Sequence, residues 1–349
     1  MSADPEVLVV GAGPAGLVAA RALALRGHRV LAVDRGRPGR DKACGEGLMP
    51  DAVRSLRRLG IDAARAGVPF HGIRYFDGSV QATGTFPGEP GLGVRRTAFH
   101  RLLADAARDA GVEIAWETRV SDFDGERVIT TRGPLRARWL VAADGLHSDL
   151  RRWAGLAARA GRPLRYGVRR HYALPPWGDR VEVHWARGAE AYVTPVAPDR
   201  VGVAMLWRGD TACFDDLLRR FPRLVARLDG VPAASRDRGA GHFRQIVHRV
   251  VRGRLALLGD ASGYLDPITG EGMGLAFRQA EALADAVDRG DLERYAADHR
   301  RLARRAWVLT RILLALEPRP LLRRQAFRLL GAVPGLFAAL LGWMTADGG

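Results

Sequence analysis

Four residues near the N-terminus have the types and spacing to hold a pyrophosphate and a ribose. Gly11, Gly13 and Gly16 punctuate GAGPAG, which follows the apolar run EVLVV, and Asp34 closes HRVLAVD 23 residues after Gly11. In such a run the first glycine turns the chain sharply off a strand, the second lets the backbone approach a pyrophosphate, and the third lets helix and strand pack closely. The helix opened by Pro14 and Ala15 offers free N–H groups and the positive end of its dipole to the phosphates. A carboxylate at the spacing of Asp34 holds an adenosine ribose. The glycines alone are a weak signal; strand, helix, second strand and terminal acid in that order are a strong one.

Two later strand ends repeat this logic. WLVAADG runs an apolar strand into Asp144–Gly145, and GRLALLGDASGYLDPITGEGMG runs another into Gly259–Asp260, followed by Pro267, Gly270 and a helix starting near Gly272. Asp260 at a strand end is offered to hydroxyls, and the helix N-terminus favours negative charge, here charge building on a reduced cofactor ring. After Asp34 comes RGRPGRDKACGEGLMP, crowded with glycine, proline and charge. Such a loop is either a solvent-exposed connection or a ligand-contacting segment. In the second case Gly45 lets backbone N–H groups reach a ring or phosphate, Cys44 lies beside that ring, and Lys42 pairs with a phosphate or substrate anion. In the first, Cys44 is a small buried thiol and Lys42 a solvated cation. The pattern leaves both open.

These residues need elements to position them. EVLVV, LVAARALALRG and HRVLAVD read as a βαβ unit. DAVRSLRRLGI and RRTAFHRLLADAARDAG read as helices, whereas HGIRYF and SVQATGTF alternate like antiparallel strands. Strands return as YGVRRHYAL, RVEVHWA, EAYVTPV, VGVAMLW and FRQIVHRV, with FDDLLRRFPRLVARL as one helix set against them. Their aromatics, among them Tyr166, Tyr172, Trp185, Tyr192 and Trp207, either line an apolar substrate cavity or form simple core. From Leu292 on, arginines alternate with Leu, Ala and Trp at helical spacing. These amphipathic helices either pack on the nucleotide-binding domain or give a basic surface that meets a membrane or a carrier-bound lipid.

Composition narrows the classes. The chain has 349 residues and a net charge of +16, yet Lys42 is its only lysine and every other cation is arginine. The charges are spread out, without a basic block beside aromatics, which argues against nucleic-acid binding. Two cysteines, Cys44 and Cys213, suit a reducing compartment and exclude a disulfide framework. The first strand begins within ten residues of Met1 with no charged or cleavable leader before it, so a cytoplasmic location is expected, with peripheral membrane association through the C-terminal helices as an addition. No Ser-His-Asp or metal-spaced cluster stands out.

Taken together, GAGPAG with Asp34, the helix start at Arg96, AADGLHSDLR around Asp144, and GDASGYLDP with GEGMG resemble the FAD-dependent oxidoreductases that include aromatic hydroxylases, flavin halogenases and geranylgeranyl reductases. The resemblance covers most of residues 6–290. It implies an α/β fold: a Rossmann-like FAD-binding domain of the glutathione-reductase type, an inserted, mostly antiparallel substrate-binding sheet, and C-terminal helices. The FAD-binding domain is expected over residues 1–68, 95–160 and 251–290, the substrate domain over 69–94 and 161–250, and the helical region over 291–349. By the same resemblance Gly11, Gly13 and Gly16 take the pyrophosphate, Asp34 the ribose, and Arg35 the adenosine end. Arg96 and Asp144 take the middle of the cofactor, Asp260 the ribityl chain, and Gly270, Gly272 and Met273 the pyrimidine edge.

Two reactions follow from the branches of this superfamily. EAYVTPVAPDRVGVAM is more similar to bacterial monooxygenases of secondary metabolism, which sets NAD(P)H- and oxygen-dependent hydroxylation of an aromatic, polyketide-like or other apolar molecule first. KACGEG and GDASGYLDPITGEG look like geranylgeranyl reductases, and Gly263 stands where aromatic hydroxylases usually carry histidine. The alternative is therefore reduction of carbon–carbon double bonds in an isoprenoid or lipid, with Cys44 near the ring or the proton path. NADPH or NADH would dock transiently, since no second GxGxxG unit follows a strand.

Overall fold

A computed structural model describes residues 4–157, 159–160, 165–209 and 212–346. Residues 161–164, where the second part of the inserted sheet is expected to begin, and the ends of the outer segments at 1–3 and 347–349, lie outside the described residues. The helices in chain order are α1 (Pro14–Ala24), α2 (Pro50–Arg58), α3 (Arg96–Asp109), α4 (Asp149–Trp153), α5 (Phe214–Leu218), α6 (Pro222–Leu228), α7 (Gly272–Asp288), α8 (Leu292–Leu316), α9 (Pro320–Ala332) and α10 (Pro334–Thr345).

One sheet carries the nucleotide-binding logic. Its strands run Val251–Arg252, Leu255–Leu257, Trp139–Ala142, Val7–Val10, Val30–Val33 and Glu113–Ala115, parallel throughout except for the antiparallel pair at the first edge. Val7, Leu8 and Val9 are completely buried, as a central parallel strand covered on both faces must be. Chain order reverses at Val7–Val10, which neighbours Val30–Val33 on one side and the much later Trp139–Ala142 on the other. Ligands of open α/β sheets bind at the carboxyl ends of strands beside such a switch point.

The second sheet has seven strands in the order Arg238–Gly241, Arg165–Tyr172, Arg200–Arg208, Ala189–Ala197, Val181–Ala186, Gly72–Asp77 and Val80–Thr85. All its pairs are antiparallel except Val181–Ala186 with Gly72–Asp77. A small three-stranded sheet of Gly47–Leu48, Gly91–Val94 and Gly67–Phe70 joins the flanks of the early insertion. The architecture is therefore the expected α/β fold with an inserted, mostly antiparallel sheet.

Some local expectations differ. The helix expected over FDDLLRRFPRLVARL is two short helices, α5 and α6, because Pro222 lacks an N–H and can only open a new helix there. FRQIVHRV contributes only Gln245–Ile246 as strand, and the sheet edge is made by the earlier Arg238–Gly241. Of the C-terminal helices, α8 runs along α7, while α9 and α10 mainly cover the edge strand Val80–Thr85 of the second sheet, and Arg54 on α2 donates to the Thr345 carbonyl. Phe327, Phe337, Leu341 and Met344 bury themselves there against Tyr75, Val80, Ala82 and Phe86.

Candidate functional site

The first strand end shows why GAGPAG has its glycines. Gly11 has φ +103°, and a Cβ there would sit 2.3 Å from the carbonyl oxygen of Ala143; a Cβ on Gly16 would sit 1.8 Å from the carbonyl oxygen of Gly11. Neither place admits a side chain. A Cβ on Gly13 meets nothing within 4 Å, so the bareness of Gly13 serves the space outside the chain. Asp34 closes the loop: Oδ2 accepts from the Ala12 N–H at 2.9 Å and Oδ1 from the Gly36 N–H at 2.7 Å. His100 on α3 clamps the same corner, donating from Nε2 to the Ala12 carbonyl at 2.7 Å and accepting the Gly39 N–H at Nδ1 at 2.8 Å. Burial keeps this imidazole below its ordinary pKa, consistent with a neutral ring making one bond of each kind.

A cavity of about 790 Å³ opens from this corner and runs between the two sheets. It brings together Gly11, Gly13, Pro14, Ala15, Asp34, Arg35, Lys42, Cys44, Gly45, Arg96, Asp144, Gly145, Asp260, Pro267, Gly270, Gly272 and Met273 on its walls. Gly16 and Gly259 stand just behind it. A Cβ on Gly259 would lie 2.9 Å from that of Ala15, so this glycine lets the second motif pack on the phosphate loop. Burial pushes the carboxyls of Asp144 and Asp260 up, and Lys42 and Arg96 oppose this at Asp260. The Lys42 ammonium is held below its ordinary value by desolvation and by the nearby Arg96 and Arg40.

The loop bearing Lys42 and Cys44 is fixed from the inserted sheet. Glu46, in the left-handed region at φ +59°, accepts the Arg96 N–H at 2.7 Å through Oε1 and bonds Nε2 of His171 through Oε2. Arg169 donates to Nδ1 of His171 at 2.9 Å, to the Lys42 carbonyl at 3.0 Å and to the Asp41 carboxylate. Glu46, Arg169 and His171 are all buried. The Glu46 N–H also approaches Cys44 Sγ at 3.3 Å, and burial raises the thiol pKa, so Cys44 carries its proton at neutral pH.

The opposite wall is anchored too. Asp266 accepts the Ile268 N–H at 3.1 Å and pairs with Arg165 at 3.0 Å, while Arg165 also pairs with Glu190. Burial pushes both carboxyls up and Arg165 opposes it. Tyr192 lines the cavity and donates from its hydroxyl to the Ile268 carbonyl at 2.9 Å.

Trp185 and Trp207, expected as candidates for the substrate wall, are not on it. Side chains on a strand alternate between faces. Trp207 packs with Val201 and Val203 in the cluster that meets α5 and α6, and stacks on Tyr166 at 5.5 Å. Trp185 shares the face of Val181 and Val183 but lies where α9 seals it, edge-on to Phe327 with the Arg323 guanidinium 5.0 Å above its ring. Sequence reasoning missed His100, Glu46, Arg169 and His171, whose partners are far away in the chain. It also missed Tyr264, a cavity-wall phenol whose pKa burial drives well up.

The residues fit flavin adenine dinucleotide. Gly13 leaves open space over a helix N-terminus, the Asp34 carboxylate lines the same cavity at the end of the second strand, and two buried polar atoms of cavity-lining residues, Asp144 Oδ1 and Arg96 Nε, have no partner among the described residues. Fold and site thus define a flavin-dependent oxidoreductase. The chain belongs to the FAD binding domain family, whose model matches residues 4–206.

Among curated proteins it is 27% identical over 326 residues to menaquinone reductase of Mycolicibacterium smegmatis, covering 85% of this chain and 80% of that one. It is 29% identical to digeranylgeranylglycerophospholipid reductase of Methanosarcina mazei, covering 82% and 77%. To 3-(3-hydroxy-phenyl)propionate/3-hydroxycinnamic acid hydroxylase of Mycobacterium sp. it is also 29% identical, over 86% of this chain but 58% of the relative. The solved p-nitrophenol 4-monooxygenase of Pseudomonas putida shares the fold at a TM-score of 0.83 and 21% identity, covering 100% of this chain and 99% of that one.

Proposed function

We propose that this flavoenzyme reduces carbon–carbon double bonds in the isoprenoid chain of a lipid or quinone, with NADPH or NADH as transient reductant. The observation that carries the reading is the apolar arm of the cavity. Beyond Cys44 its walls are Phe70, Ile73, Tyr75, Val181, Val183 and Ile268, and it reaches Leu313 on α8 and Met344 on α10. Such a slot takes a greasy chain along its length more readily than a compact polar ring. The relatives named as reductases align over about four-fifths of both chains, which favours the reductase over the order suggested by the strand sequence alone.

Bound flavin, once reduced, supplies a hydride to one alkene carbon. The other carbon needs a proton, and we assign that proton to the Cys44 thiol, which lies on the cavity wall and which burial keeps protonated. Glu46, Arg169 and His171 fix the Cys44 loop. The apolar walls exclude water and align the chain.

Hydroxylation by oxygen transfer is the second reading, favoured by the hydroxylase relative. The two separate under argon. With NADPH and a prenylated quinone or lipid, the reductase keeps turning over and its product gains two hydrogens, whereas the monooxygenase stops after one flavin reduction and, once given air, adds one oxygen. Oxygen-dependent turnover with an oxygenated product would overturn the reductase reading.

A further inference from the structure

The outer faces of the C-terminal helices carry an unusual surface. Eight of the ten exposed large apolar side chains of the described protein fall between residues 308 and 343: Val308 and Ile312 on α8, Leu321, Leu322 and Leu329 on α9, Val333 between the helices, and Leu336 and Trp343 on α10. Leu321 is 76% exposed. From residue 299 to 346 there is one acid, Glu317. It is buried and paired with Arg208 at 2.6 Å, so this stretch exposes no carboxylate among the described residues. Around the apolar side chains stand exposed Arg300, Arg304, Arg311, Arg319 and Arg328.

We infer that this face docks on an anionic lipid bilayer. Apolar side chains beside arginines, with no exposed acid among them, match an interface in which leucines and tryptophan enter the headgroup boundary and guanidiniums meet lipid phosphates. Among the described residues no single helix is long and apolar enough to cross a membrane; α9 and α10 reach that length and apolarity only as a pair bent by 104°. Since Phe327, Phe337, Leu341 and Met344 of that pair are buried against the second sheet, we place the helices on the bilayer. The inward faces of the same helices supply Leu313 and Met344 to the end of the apolar arm. The docked face thus puts the greasy end of the cavity next to the lipid phase. The Arg305 guanidinium, which donates to the carbonyls of Trp343 and Ala346 at 2.8 Å, ties α10 to α8 at that point.

The docking surface rests on the proposed lipid substrate for its purpose but is tested apart from it. Flavin-loaded protein without substrate is sedimented with vesicles of phosphatidylcholine alone or mixed with phosphatidylglycerol. Binding to the anionic vesicles is expected to be at least about tenfold tighter and to weaken with salt, since each arginine near the surface is drawn to the negative lipid headgroups. A Leu321→Ser/Leu322→Ser/Leu329→Ser variant is expected to lose about tenfold or more in vesicle affinity, while reduction of a detergent-dispersed substrate stays at the wild-type rate. Equal, salt-insensitive binding to both vesicles, or no loss in the variant, overturns the inference. So does a concentration-dependent dimer in ultracentrifugation that the same variant abolishes, because the face then belongs to a second copy. A protein that binds anionic vesicles but reduces no isoprenoid sinks only the proposed reaction, and one that reduces dispersed substrate but stays off vesicles sinks only the docking surface.

Discussion

His171 on the inserted sheet and Glu46 in the cofactor loop are joined by a buried hydrogen bond, Nε2 to Oε2, across 125 residues of sequence. Both side chains are almost fully enclosed, and burial holds the imidazole below its ordinary pKa. The bond makes the position of Cys44 depend on the inserted sheet. Removing the ring leaves one oxygen of Glu46 buried with Arg95 3.7 Å from its neighbour. His171→Ala is expected to cost about 1–3 kcal/mol in thermal unfolding and to speed flavin release. An unchanged flavin dissociation rate would show that the loop is held by other means.

The three glycines of the first motif separate fold from cofactor. Gly16→Ala drives a methyl group into the Gly11 carbonyl and should leave little folded protein. Gly13→Ala adds a methyl to open space, so thermal stability of the flavin-free protein stays within about 0.5 kcal/mol while flavin affinity falls. Fluorescence titration of the apoprotein with FAD, beside its melting curve, checks the pair.

Cys44→Ala removes the proton donor of the proposed reduction. The rate of double-bond reduction is expected to drop by about a hundredfold or more, with flavin reduction by NADPH unchanged in stopped flow. Full alkene reduction by the variant would assign the proton to another group.

Glu271 precedes α7 and has a buried oxygen, Oε2, with no partner among the described residues. Burial pushes its carboxyl up to about 7. The folded protein therefore binds more protons than the unfolded chain between the ordinary glutamate range and about 7. The stability this provides is fully present below that window and is lost as pH rises through about 7, by about 3 kcal/mol. Glu271→Gln should flatten the fall, and melting temperatures of the two proteins from pH 5 to pH 8 measure it.

Arg323 fastens α9 to the second sheet through a buried ion pair with Asp77 at 2.8 Å and a bond to the Glu317 carbonyl at 2.6 Å. Arg323→Ala leaves the Asp77 carboxylate with only half-exposed Arg324 at 3.2 Å and is expected to cost about 3–5 kcal/mol. Adding Asp77→Ala should recover part of that loss, which a double-mutant cycle in urea would read.

The nucleotide-binding half was legible in the sequence because its signals are local. Strand, glycine loop, helix and acid fall within residues 6–34, and the clash distances at Gly11 and Gly16 are set by neighbours on that same turn and on the adjacent strand end. The strand-end motifs at Asp144 and Asp260 could be read for the same reason: each is one strand followed at once by its loop. The helices over residues 292–345 also followed from periodicity.

What tertiary structure alone decided is which faces meet. Alternation along a strand separates Tyr192 from Ala191 but does not say which side a cavity occupies, and nothing near Trp185 in the chain announces that α9, more than a hundred residues later, would seal it. His100 with Ala12, and Glu46 with His171, are pairs whose members are 88 and 125 residues apart. Residue types and spacing fix turns and periodicities within a few residues. Burial of a polar group, and so its pKa and its role, depends on the elements that close over it.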